Sequence, residues 1–341
     1  MNGCICCTVR GDLVVALKKL YSKISQFDAV IIETTGLADP APVAQTFFVD
    51  DQVPEMYTLD GIITVADAKH IISRLDDEKP QGVENEAAEQ VAFADRILLN
   101  KIDLVEEAEL APIEERLKAL NPTAQIFRCE KSRVDPTNLI GINAFSLEKT
   151  LQMDPEFLNT DAEHEHDPTV SSISTKFEGF LNVRQLDIWI DEIIRTMGAN
   201  LFRYKGVLSV AGKKNKYVFQ GVGMLFSGGF VDAEWAEGEK RECCFVFIGK
   251  NLDKTVLLEG FMDCKCSEEL RFKIGDSVVV RTGMHTYAAA HIIKLWDDAN
   301  AYRVQLQDEE KTQMFVPIDE EDFVKVPKKA DGGNADAAWD D

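Results

Sequence analysis

Over the first 150 residues, short apolar runs alternate with amphipathic stretches. The runs "DAVIIETTG" (28–36), "GIITVADA" (61–68), "RILLNK" (96–101) and "AQIFRC" (124–129) read as buried strands. A helix is predicted over Leu13–Ser25 with Asp12 as its N-cap, and others over Asn85–Ala94 and Val105–Leu120. Strands alternating with helices imply right-handed crossovers and a mostly parallel sheet. Ligands of such sheets sit beyond the carboxyl ends of the strands. The predicted strands end there in Glu33-Thr34-Thr35-Gly36, Asp67 and Asn100-Lys101.

The pattern changes twice more. Residues 154–170, "DPEFLNTDAEHEHDPTV", are polar and acidic and read as a linker. Strands are then predicted in "SSISTKFEGF", "RYKGVLSVAG", "KYVFQGVGMLFSG" and "CCFVFIGK", with helices over Leu186–Met197 and "NLDKTVLLEGF", giving an α+β domain over 171–265. Residues 268–327 hold four or five short, evenly spaced strands, which suggests a small β-barrel, and Gly275-Asp276, Trp296 and "YRVQLQD…VPIDEEDF" resemble a Tudor-type or related barrel. Its Tyr287, Trp296, Tyr302 and Phe315 could cage a methylated basic side chain of a peptide partner, but a domain this small needs aromatics for its core. Residues 328–341 read as a disordered tail. The division is thus 1–153, a linker at 154–170, 171–265, 268–327 and the tail.

Charge narrows the function. The chain has 341 residues and a net charge of −22, which argues against a nucleic-acid surface and against docking on anionic lipid. It has no apolar run of membrane-spanning length and no signal peptide before Cys4. The eight cysteines fall as Cys4/Cys6/Cys7, Cys129, Cys243/Cys244 and Cys264/Cys266, a clustering that suits metal or redox chemistry in a reducing, cytoplasmic setting.

Three stretches carry chemistry. In Asn100-Lys101-Ile102-Asp103, the carboxylate can accept both the ring N–H and the exocyclic amine of guanine. The asparagine amide can bond the purine edge, and the lysine stem can lie over the ring. The plain alternative makes Asp103 a helix N-cap. Glu33 ends a strand, where a carboxylate can orient a magnesium-bound or attacking water, and Gly36 leaves room for a terminal phosphate. The plain alternative there is a strand end and turn. Cys4, Cys6 and Cys7 offer thiolates for zinc or copper(I), in a spacing better suited to loading and transfer than to a fixed structural site. His164 and His166 are a possible accessory pair in the linker, and His70 is a lone histidine after the second predicted strand. Alternation places one sulfur of Cys243-Cys244 in the core, and Cys264/Cys266 is an incomplete metal site, so both pairs are read as structural.

Taken together, "NGCICCTVRGDL", "FDAVIIETTGLADPAPVAQTFF", "LDGIITVADAKH", "EQVAFADRILLNKIDLV" and "NPTAQI" resemble the CobW-type P-loop GTPases, which act as metal chaperones and insertases, and "RYKGVLSV" and "VFIGKNLD" resemble that family's C-terminal domain. The resemblance covers about residues 1–265. It implies a GTP-dependent chaperone that delivers zinc, or another transition metal, to a client metalloprotein. Cys4, Cys6 and Cys7 would be metal ligands, with His164 and His166 as extras. Asn100, Lys101 and Asp103 would read guanine, and Glu33, the catalytic candidate, and Gly36 would lie near Mg2+ and the γ-phosphate. The family's phosphate loop, Gly-x-x-x-x-Gly-Lys-Thr, has no counterpart in this sequence. Triphosphate affinity and hydrolysis are therefore expected to be impaired, and the parallel sheet to lack its first strand. An N-terminally truncated GTPase explains this, and the true N-terminus could then carry organelle targeting. The rivals are a non-hydrolysing metal-binding or protein-interaction paralogue and a cobalt chaperone of cobalamin biosynthesis.

Overall fold

The computed structural model describes residues 5–36, 40–77, 85–150 and 170–327. Its first part is a three-stranded parallel sheet, β1 (Ile63–Asp67), β2 (Arg96–Asn100) and β3 (Gln125–Cys129), with β2 central. The helices before it are α1 (Ile5–Tyr21), α2 (Ala41–Val49) and α3 (Val53–Met56), and α4 (Ile71–Leu75) follows β1. Helix α5 (Glu86–Phe93) enters β2, α6 (Glu107–Leu120) joins β2 to β3, and the one-turn α7 (Leu147–Thr150) comes after β3. Asn85 caps α5 by accepting from Ala87 N and Ala88 N. Asn121, fully buried, ties the end of α5 to the start of β3. Its Nδ2 donates to the carbonyls of Val91, Ala92 and Ala94, and its Oδ1 accepts from Thr123 and Ala124.

Two expectations need correction. Helix α1 runs through Asp12 instead of starting there, since "CCTVRG" holds no proline to stop it and Gly11 only weakens it. Residues 28–36 form no strand. They run extended, with Val30 and Ile32 packed on a small cluster around Leu17, Phe47 and Val53, while Ile31 is 85% exposed. A strand needs a ladder partner as well as an apolar pattern, and none pairs with this segment among the described residues. Among the described residues strand β1 pairs with β2 alone, and its Ile63 and Val65 are exposed on the face opposite the buried Thr64 and Ala66.

The second part is a five-stranded antiparallel sheet of β4 (Val170–Glu178), β6 (Leu201–Leu208), β7 (Asn215–Val222), β8 (Leu225–Glu234) and β9 (Glu242–Lys250), in the order β4-β9-β6-β7-β8. Val170 thus belongs to a strand and not to the linker. Helix α8 (Val183–Met197) covers one face with a stripe of Leu186, Trp189, Ile190 and Ile193, at helical spacing. Helix α9 (Lys254–Asp263) adds Leu257 and Phe261. The opposite face, with Val170, Phe202, Val222, Val246 and Ile248, shares a core with Phe93, Val91 and Leu117 of the first part. Phe93 and Phe202 meet at 5.1 Å between ring centroids. The antiparallel sheet is therefore one layer between two sets of helices. An irregularity between Leu201 and Arg203 in β6 turns Phe202 and Arg203 both toward the first part, leaving Tyr204 for the α8 side.

A short pair, β5 (Phe180–Leu181) with β10 (Lys265–Cys266), leads to the third part. There β11 (Ser277–Arg281), β12 (Tyr287–Asp297), β13 (Asn300–Leu306), β14 (Gln313–Val316) and β15 (Val324–Lys325) form one antiparallel sheet in the order β14-β13-β12-β11-β15, and all five strands supply one core. The aromatic cage does not form. Tyr302 is buried in that core, and Trp296 donates from Nε1 to the Glu268 carbonyl. Tyr287 lies under Lys325 and Phe315 under Arg303. The core of this sheet is mostly aliphatic, with Tyr302 among Val278, Val280, Ile292 and Val304, and the exposed rings of Tyr287 and Phe315 carry intramolecular cations instead. This sheet is anchored to α8. The N-cap Asn182 accepts from Arg184 N and Gln185 N, while its Nδ2 donates to the Pro317 carbonyl.

Candidate functional site

The carboxyl ends of the parallel strands hold the candidate side chains, as the topology requires. β1 and β2 pair in register, so Asp67 lies beside Asn100, and Ala68 N donates to the Asn100 carbonyl. Beyond Asn100 the backbone turns left-handed at Lys101, with φ 63° and ψ 35°, and a 3-10 turn spans Ile102–Leu104.

Asn100 is buried, and its amide serves the protein first. Nδ2 donates to Ser132 Oγ at 3.0 Å, Oδ1 accepts from Ser132 N at 2.9 Å, and the Cys129 thiol faces Oδ1 at 3.7 Å. These contacts fix the loop after β3 over the end of β2. The second Nδ2 hydrogen is what the amide can offer a purine edge. Lys101 Nζ donates to Asp67 Oδ2 at 2.7 Å. His70 Nδ1 is 3.1 Å from the same oxygen, and Lys69 N donates to Oδ1 at 3.0 Å. Partial burial pushes the Asp67 carboxyl upward, and the bonds from Lys101, His70 and Lys69 outweigh it, leaving the carboxyl at about 2.

Asp103 is exposed in the 3-10 turn, and no hydrogen bond or ion pair engages its carboxylate among the described residues. It caps no helix. Helix α6 is capped by Glu106, whose side chain meets the N3 backbone while Glu109 Oε2 accepts from Glu106 N at 2.8 Å. A carboxylate at a strand end that the fold leaves unengaged suits a ligand with two adjacent donors, such as the guanine edge.

The other candidate residues are not gathered here. Glu33 and Gly36 are exposed on the extended segment, and the Gly36 carbonyl accepts from Gln90 Nε2 of α5 at 3.1 Å. Cys6 and Cys7 fall within α1 by backbone alone, whereas Cys4, His164 and His166 lie outside the described residues. Among the described residues no group of three or more His, Cys, Asp or Glu could hold a metal ion. Cys243 is fully buried and Cys244 half-buried, as alternation predicts. Burial pushes the thiols of Cys243, Cys264 and Cys266 up to about 12, a structural and not a reactive setting.

Sequence reasoning missed Ser132 and the partnership of Asp67 with Lys101. Parallel register was the available signal for Asp67, since it aligns the last residues of adjacent strands. Ser132 follows a strand in an unremarkable polar loop, and only the tertiary contact reveals it. Also unforeseen was Asp95 at the opposite end of β2. It forms a buried ion pair with Arg203 of β6, lies 3.7 Å from Lys205 Nζ, and accepts from Ile62 N at 2.9 Å. The Arg203 guanidinium stacks over the Phe145 ring at 4.5 Å.

A parallel α/β sheet with polar side chains gathered at a strand carboxyl end, joined to an antiparallel sheet, has the architecture of a P-loop-like nucleotide-binding domain with an appended α+β domain. Comparison with known families agrees. Residues 1–128 match the CobW/HypB/UreG nucleotide-binding domain, and residues 170–265 match the cobalamin synthesis protein CobW C-terminal domain. The chain is 34% identical over 264 residues to the zinc chaperone YjiA of Escherichia coli, covering 76% of this chain and 79% of that protein. It is 28% identical to the zinc chaperone CobW of Pseudomonas aeruginosa, over 75% of this chain and 72% of the relative. With the zinc-regulated GTPase metalloprotein activator 1 of Schizosaccharomyces pombe it shares 32% identity, over 55% of this chain and 44% of the relative. The crystal structure of Zn(II)-bound YjiA GTPase from E. coli superposes with a TM-score of 0.64 at 30% identity, covering 75% of this chain and 77% of that one. The chain belongs to the CobW/HypB/UreG family.

Proposed function

We propose that this protein is a guanine-nucleotide-dependent metal chaperone, with zinc as its cargo and a metalloprotein as its client. The observation that carries the reading is the exposed, unengaged Asp103 carboxylate next to Asn100 and Lys101 at the end of β2, in a chain whose relatives are named zinc chaperones and zinc-regulated GTPases. Asp103 accepts from the guanine ring N–H and amine, Asn100 meets the purine edge, and the Lys101 stem covers the ring face. Adenine presents the wrong donors, so Asp103 discriminates against it.

The thiolates of Cys4, Cys6 and Cys7 take the cargo ion, for which sulfur ligands suit zinc, and His164 and His166 are accessory donors. Glu33 is the candidate for orienting water, with Gly36 admitting the γ-phosphate. Mg2+, when bound, neutralises charge developing on the phosphates. Because the sequence has no Gly-x-x-x-x-Gly-Lys-[Ser/Thr], hydrolysis by these 341 residues is expected to be slow, which favours as second reading a binding protein that holds metal without turnover. We place its work in the cytoplasm, where thiols stay reduced. No helix among the described residues is long and apolar enough to cross a membrane.

The test is zinc affinity, measured by competition with a chromophoric chelator with and without guanine nucleotide. Nucleotide is expected to shift the affinity, and the triple change Cys4→Ser, Cys6→Ser and Cys7→Ser is expected to abolish tight binding. Equal affinity with and without nucleotide removes the coupling, and unchanged affinity in the triple variant removes the thiols from the site.

A further inference from the structure

The ion pair between Asp67 and Lys101 bridges the carboxyl ends of β1 and β2, at the edge of the proposed base site. Both side chains are partly exposed, Lys101 at 49% and Asp67 at 28%, and pairs of this kind add little to stability. Yet several further contacts converge on the pair. Asp67 closes β1 and faces Asn100 across the parallel ladder. Its Oδ1 is occupied by Lys69 N, leaving Oδ2 to the Lys101 amine at 2.7 Å and to His70 Nδ1 at 3.1 Å. The backbone at Lys101 is itself fixed in the left-handed turn, and the next β1-to-β2 bond, from Ala68 N to the Asn100 carbonyl, ties the two strand ends together.

We infer that Asp67 is a positioning residue for the nucleobase: it anchors the Lys101 amine so that the lysine stem is already laid out when a purine arrives. The inference rests on the guanine reading of Asn100, Lys101 and Asp103. A lysine side chain loses up to about 2 kcal/mol of rotamer freedom when ordered. Fixing it beforehand lowers the cost of binding and so raises affinity. A methylene stem covers guanine and adenine faces alike. Asp67 therefore strengthens binding of both bases, while Asp103 supplies the preference between them. The two carboxylates thus have separable roles.

The experiment titrates the full 341-residue chain with guanosine and with adenosine, nucleosides that report on the base site without any phosphate contact, using ligand-observed NMR. In wild type, guanosine is expected to bind more tightly. Asp67→Asn keeps an acceptor for Lys69 N and removes the charge. It is expected to weaken both nucleosides by roughly threefold to tenfold with their ratio unchanged. Asp67→Glu is expected to restore most of the loss, and Asp67→Ala, checked for an unaltered melting transition, to match Asp67→Asn. In a Lys101→Met background, which keeps a stem but no amine, Asp67→Asn is expected to add nothing. Unchanged affinity in Asp67→Asn overturns the inference, as does a full additional loss in the Lys101→Met background. Tighter binding by Asp67→Asn also overturns it, since Asp67 would then be drawing the amine away from the base. A wild type that does not prefer guanosine overturns the base-site reading itself, an outcome distinct from the others.

Discussion

β2 is five residues long and is bracketed by two aspartates with opposite fates. Asp95, at its amino end, is buried against Arg203 and Lys205 of the antiparallel sheet and accepts from Ile62 N. Asp103, just past its carboxyl end, is exposed and engages nothing among the described residues. One carboxylate joins two sheets, and the other is the one we propose for the guanine edge. Their separation follows from parallel topology. Amino ends of the strands meet the crossover helices and, here, the second sheet, whereas carboxyl ends open into a crevice. Asp95 is tied to the fold on every side, whereas the Asp103 carboxylate at the crevice stays open to solvent.

The comparison breaks first at Asp95. Asp95→Asn leaves the Arg203 and Lys205 charges buried without their counter-charge, so it is expected to cost about 3–5 kcal/mol, read from denaturant unfolding. A loss below about 1 kcal/mol would mean that this end of β2 is no more committed to the fold than the other.

Lys205 sharpens the same junction through pH. Burial and the neighbouring Arg203 charge lower its amine to about 8, against the partial support of Asp95. The unfolded chain, with an ordinary lysine near 10.5, binds the extra proton between those two values. Stability therefore rises with pH across the interval, and the penalty for the buried charge is present in full below pH 8. Relative to Lys205→Met, wild type is expected to gain about 1–3 kcal/mol between pH 8 and pH 10, measured as the difference between their unfolding free energies. A constant difference would mean that the amine is solvated.

Asp103 is the other side of the contrast. Asp103→Asn is expected to leave stability within about 0.5 kcal/mol, as for other surface changes. It is also expected to cut the guanosine-to-adenosine preference by roughly tenfold to a hundredfold, because an amide cannot accept from both guanine donors. A destabilising Asp103→Asn with intact preference would reverse the assignment of the two ends.

Much of this fold was readable from pattern alone. β1, β2 and β3 fell where the apolar runs placed them, and the α5 and α6 stretches did so because their caps and apolar spacing agree. The run 28–36 shows the limit. Its apolar pattern is that of a strand, but a ladder partner is a non-local property that no local pattern encodes. Helix α2 escaped notice because "APVAQTFFV" is apolar around most of its circumference and shows little helical periodicity. The cage of aromatics failed for a related reason, since composition reveals rings but not which of them the core requires.

The amino-acid sequence by itself determined the alternating strands and helices of the first part and the strands of the second, since these depend on short-range periodicity, and it supplied the donors and acceptors of Asn100, Lys101 and Asp103 on which the proposed base site rests. Only the tertiary structure decided which carboxylate pairs with what. Asp67 meets Lys101 through strand register, Asp95 meets Arg203 across two sheets and 108 residues of chain, and the Asp103 carboxylate meets no partner among the described residues. The physical reason is that an aspartate carries the same charge wherever it stands. Its burial and its partners, which separate a structural role from a functional one, are set by residues distant in the chain and brought near by packing.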